Sequence, residues 1–119
     1  MKKLIHAGAL ALFAAVILSA PLLPAAETAI KTDDDIVSAI QANTPEKHQE
    51  IATWYKAKAA DETKQAEEHR KMSHAYRGSK ATYADQMHKH CDALVTLHEN
   101  LAAEYEKLAA EHEAAAGKK

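Results

Sequence analysis

AYRGSKATY, residues 75–83, interrupts a chain that is otherwise composed for helix. Gly78 is the only glycine between Glu27 and the tail, and RGSK, residues 77–80, is the only cluster of turn residues in the mature part. On either side β-branched residues are sparse and Ala, Glu, Lys and Leu abundant, the composition of long helices. One short turn between two long helical segments makes an antiparallel αα-hairpin. Gly78 is expected to close the first arm as a left-handed cap.

The helix starts follow from local chemistry. Thr32 ahead of Asp33, Asp34 and Asp35 offers a capping hydroxyl and acids at the positive end of a helix dipole. Ile36, Val37 and Ile40 give this short helix an apolar face, and it ends near Asn43. TPEKH restarts helix, with Thr44 as N-cap, Pro45 in the first helical position and Glu46 in the first turn. The first long arm is expected from Pro45 to about Tyr76, the second from about Ala81 to Ala115. The expected fold is all-α: a short helix, then a long, coiled-coil-like hairpin that would form a four-helix bundle on dimerisation.

A seven-residue period runs through both arms. His48, Tyr55, Glu62, His69 and Tyr76 recur on the first, and Ala84, Cys91, His98, Tyr105 and His112 on the second. Alanines keep the same period beside them, at Ala52, Ala59 and Ala66 and at Ala102 and Ala109. Small residues on a heptad seam let two helices approach closely. Folding about residue 80 places opposite each other positions that sum to 160. The layers are then His48 with His112, Tyr55 with Tyr105, Glu62 with His98, His69 with Cys91, and Tyr76 with Ala84. Such a seam is polar but paired, as burial without penalty requires. Met87, Leu94, Leu101 and Leu108 form a further stripe, expected to pack on a second copy because a lone thin hairpin buries little.

HKHCDALVTLH, residues 88–98, holds the chain's only cysteine. Cys91 and His98 are separated by about 10.5 Å of helical rise, too far to share one ion. His88 and Cys91, one turn apart, can do so. With His69 from the opposite arm they form a candidate set for zinc or copper, with Met72 or Met87 as a soft fourth ligand. In a two-fold dimer, two His69–Cys91 layers are an alternative. The competing reading is that these side chains simply hydrogen-bond or lie in solvent, as His74 and His90 are expected to do. His48 and His112 are conceivable haem ligands across a dimer, but haem is the weaker expectation. No Glu-x-x-His pattern supports a di-iron centre, and no C-x-x-C a redox pair. A Cys91–His69 dyad would need a cleft and an oxyanion stabiliser that an Ala/Leu hairpin does not suggest, so no enzyme is expected.

Residues 1–26 read as an export signal: Lys2 and Lys3, an apolar run from Leu4 to Ala20, and a small-residue exit from Pro21 to Ala26. Left uncleaved, the run extended to Leu23 is long enough to anchor the chain in the inner membrane, facing the periplasm. Residues 27–44 then form the short helix and linker, and residues 45–116 the hairpin. Removal of the signal leaves 13 basic against 17 acidic residues, no electrostatic footprint for nucleic acid. Export implies an oxidising compartment, where an unpaired Cys91 is an intermolecular disulfide, a metal ligand or a shielded thiol.

The succession TPEKH, EEHRKMSHAYRG, MHKHC and AAEYEKLAAEH resembles a group of small exported bacterial helical-hairpin proteins over roughly residues 44–112. The resemblance implies export and a helical hairpin and carries over no activity or site residue. The expected function is binding or structural, in the periplasm: a transition-metal binder through the His/Cys seam, or a cell-envelope coiled-coil module without metal.

Overall fold

The computed structural model describes residues 30–118, so the expected signal or anchor segment lies outside the described residues. Three helices follow in order among them, α1 (Asp33–Ala42), α2 (Pro45–Arg77) and α3 (Ala84–Ala116). The fold is an all-α hairpin of α2 and α3 with α1 on its open end. Among the described residues no helix is long and apolar enough to cross a membrane.

Caps set the first two helices. The Thr32 hydroxyl accepts from the Asp35 backbone N–H at 3.2 Å, and the Asp35 carboxylate accepts from the backbone N–H groups of Thr32 and Lys31, each at 2.9 Å. This capping box satisfies donors that a helix start leaves free. The Lys31 backbone bond, then the Thr32 bonds, hold the Asp35 carboxyl below its ordinary pKa. α1 stops where Asn43 turns left-handed, at φ 49°. Thr44 then caps α2 by accepting from the Lys47 N–H at 3.2 Å.

Two details of the turn differ from expectation. Gly78 closes α2 right-handed, at φ −84°, so among the described residues the left-handed one is Asn43 and not Gly78. A right-handed Gly78 lets the chain run on instead of reversing at once. α3 accordingly begins at Ala84, later than Ala81, behind Tyr83, which has no side-chain cap.

Small residues close the arms on each other. Ala52, Ala59, Ala66 and Ser73 on α2, and Ala84, Cys91, Ala102 and Ala109 on α3, are all buried. The bulkier core lies at the open end, where Ile30, Ile36 and Ala39 meet the fully buried Ile51, with Trp54 and Tyr55 packed against them.

The two flanks of the hairpin differ. On one, Arg77 meets Asp92 at 2.6 Å, Arg70 meets Glu99 at 2.5 Å, and Lys56 meets Glu113. These pairs share one register, since every pair of residue numbers sums to 169. Each is solvated and contributes little alone, but all three favour the same alignment. The other flank is apolar and open: Leu94, Leu97 and Leu101 are 37%, 58% and 43% exposed, and Met72 on α2 is exposed as well.

Candidate functional site: the polar seam

Three of the expected layers are formed. His48 Nδ1 lies 2.8 Å from His112 Nδ1. The two ring centroids are 5.1 Å apart, and the difference between these distances is what two imidazole radii take up. The nitrogens therefore face each other head-on and share one proton. His48 Nε2 lies 2.8 Å from Asn43 Oδ1. With that oxygen as acceptor, His48 carries its proton on Nε2 and the shared proton comes from His112. Burial, then the proximity of His48, pushes the His112 pKa below its ordinary value.

In the next layer Tyr55 and Tyr105 stack with centroids 5.9 Å apart, and Tyr55 also stacks on His112 at 5.8 Å. One layer further, His98 Nδ1 lies 2.5 Å from Glu62 Oε2, with both side chains about four-fifths buried. The carboxylate can only accept, so His98 donates from Nδ1.

The fourth layer behaves differently. Cys91 is a buried free thiol, while His69 stacks on His98 with centroids 5.3 Å apart and rings 9° from parallel. His69 Nδ1 is buried with no hydrogen-bond partner. His88, one turn before Cys91, places Nε2 at 3.1 Å from Asp85 Oδ1. Its Nδ1 is buried, 3.6 Å from Asp92 Oδ2, just beyond hydrogen-bond reach, and likewise has no hydrogen-bond partner. Lys89, then His88, holds the Asp85 carboxyl below its ordinary pKa. Ser73, which donates to Asp92 at 2.5 Å, and then Arg77 do the same for Asp92.

Among the described residues no three His, Cys, Asp or Glu side chains are arranged to hold a metal ion. His69, His88 and Cys91 thus do not form a ready ligand set. His88 lies one turn before Cys91, but His69 is drawn to the flat face of His98 and His88 to Asp85. Met87 is half-buried and Met72 exposed, while His74 and His90 lie in solvent. Sequence reasoning missed the Asn43–His48 bond. It also missed the ion-pair flank, whose signal was present as the heptads Lys56, Arg70, Arg77 and Asp92, Glu99, Glu113. No family model, curated protein or solved structure matches this chain.

Proposed function

We propose that this is a small exported helical-hairpin protein of binding or structural type, working in the periplasm as a self-associating coiled-coil module of the cell envelope. The observation that carries this reading is the contrast between the two faces of the hairpin. Its seam is filled by complementary polar pairs that define one alignment, and its leucine flank is left open to a partner. Buried polar pairs contribute alignment more than stability, which suits a module whose task is to present a surface. Light scattering tests it: a folded, helical dimer is expected, with melting indifferent to chelator and to Cys91→Ser. A monodisperse monomer overturns the self-association.

A second reading, transition-metal binding, is favoured by two buried ring nitrogens that make no hydrogen bond. His69 and His88, the two histidines of the candidate set, are the ones whose Nδ1 atoms are buried without a hydrogen-bond partner among the described residues, that of His88 standing 3.6 Å from Asp92 Oδ2. His88 also gives its other nitrogen to a carboxylate, the support that metal-binding histidines commonly have. With the Cys91 thiolate these donors suit zinc or copper, and Met72 or Met87 would favour Cu(I). His69 must first leave its stack on His98. Stoichiometric metal on protein purified without chelator, lost in Cys91→Ser, is the expected result. Equal metal content in both proteins overturns this reading.

A further inference from the structure

We propose that two copies of the chain pack antiparallel across their α3 helices, with Leu97 on the two-fold axis. The inference rests on the self-association put forward above and specifies its register and its contacts.

The open flank of α3 reads nearly the same in both directions from Leu97. One step out are Leu94 and Leu101, exposed at 37% and 43%. The next step is His90 on one side and Glu104 on the other, both exposed. Beyond these come Met87 and Leu108, both half-buried. An antiparallel copy therefore places Leu97 on its own counterpart and Leu94 on Leu101. It also places Met87 on Leu108, and a base on an acid at His90 and Glu104. The symmetry makes each unlike contact occur twice.

Charge selects this register over its neighbours. Sliding the copies half a heptad either way sets His90 against Leu101 or Glu104 against Leu94, burying a polar group beside a leucine without a partner. The groups for an intermolecular pair are at hand. The His90 side chain makes no hydrogen bond among the described residues, and Glu104 binds Lys107 through Oε1 alone, at 2.6 Å. The layering is also the one the hairpin itself uses, where equal heptad positions face each other in the His48–His112, Tyr55–Tyr105 and Glu62–His98 layers.

The stripe from Met87 to Leu108 runs along about 31 Å of helix. Three leucines alone fall short of the roughly 800 Å² per partner of a standard interface. Met72, 41% exposed on α2, extends the surface and brings the second arm of each hairpin into a four-helix bundle. The charged flank is unsuited to this role, because its side chains are already engaged with one another.

Charge reversal and cross-linking test the register. His90→Glu places acid on acid twice per dimer and is expected to weaken dimerisation at least tenfold in sedimentation equilibrium. Adding Glu104→Lys to that variant is expected to restore affinity to within about threefold of wild type. In a Cys91→Ser background, Leu97→Cys is expected to form a disulfide-linked dimer under mild oxidation. Leu94→Cys should link only when mixed with Leu101→Cys. If Cys91→Ser does not fold, the charge-reversal pair carries the test by itself. A dimer that ignores His90→Glu overturns this register while leaving self-association intact, and a monomer at all concentrations overturns both.

Discussion

His48 and His112, 64 residues apart in the chain, meet Nδ1 to Nδ1 at 2.8 Å, with one proton between them. Because the rings face head-on, a second proton cannot enter the gap without separating the arms at the open end of the hairpin. The same contact anchors α1, since the other nitrogen of His48 reaches Asn43 at the α1–α2 junction.

Acid should therefore weaken the fold in two stages. The folded pKa of His112 lies below its ordinary 6.5, so from about pH 6.5 downward the unfolded chain takes up a proton that the folded chain resists. Stability present above 6.5 is lost as pH falls toward the folded value. The carboxyls of Asp35, Asp85 and Asp92 are lowered from 3.8, so their contribution is intact above that value and lost only in stronger acid. Urea melts from pH 8 to pH 3 should resolve both stages, and His112→Gln should abolish the first while leaving the second.

The Glu62–His98 layer separates hydrogen bonding from charge. Glu62→Ala leaves the His98 Nδ1 proton without an acceptor in a largely buried position and should cost about 1–3 kcal/mol. Glu62→Gln keeps an acceptor in the same place and should cost less than half as much. Equal losses in chemical denaturation would mean that water replaces the carboxylate freely.

The alanine seam should reject bulk. Ala66 is 2% exposed and Ala59 4%, so leucine at either position has to push the arms apart, at about 1–3 kcal/mol or more. Ala60→Leu, one residue along and exposed, should change stability by less than about 0.5 kcal/mol. Thermal melts of the three variants check the contrast.

Asn43 combines a left-handed backbone with a side-chain bond to His48. Asn43→Gly keeps the backbone and loses the bond. Asn43→Val loses both and adds a left-handed penalty of about 1–2 kcal/mol. Val is expected to be the more damaging by that margin, measured as loss of helicity and lower Tm.

Most of the fold was legible because it rests on local chemistry and a single period. Thr32 with three aspartates, Thr44-Pro45, and heptads on both arms are enough to place three helices and pair two of them. The head-on layers followed once the turn was placed, because an antiparallel hairpin has only one free alignment variable. The turn geometry was less legible. Gly78 permits a left-handed conformation without requiring one, whereas Asn43 adopts it with a tertiary bond that no local pattern reveals. The fate of His69 was hidden for a different reason. Heptad position assigns a level along the seam, but a rotamer decides whether the ring meets Cys91 beside it or stacks on His98.

The ordered unlike layers make the seam a vernier. A hairpin lined only with alanine and leucine could slide by seven residues and find an equivalent fit. Here such a slip sets His48 against Tyr105, Tyr55 against His98 and Glu62 against Cys91, while on the outer flank Arg77, Arg70 and Lys56 would simply meet Asp85, Asp92 and Glu106 instead, so the seam and not the ion pairs resists it. Alignment is thus encoded along the arms and not in the loop that joins them. Two separate strands cut within residues 79–82 retain everything needed to find each other in the original alignment, so the connection governs how quickly the arms meet and not how they match.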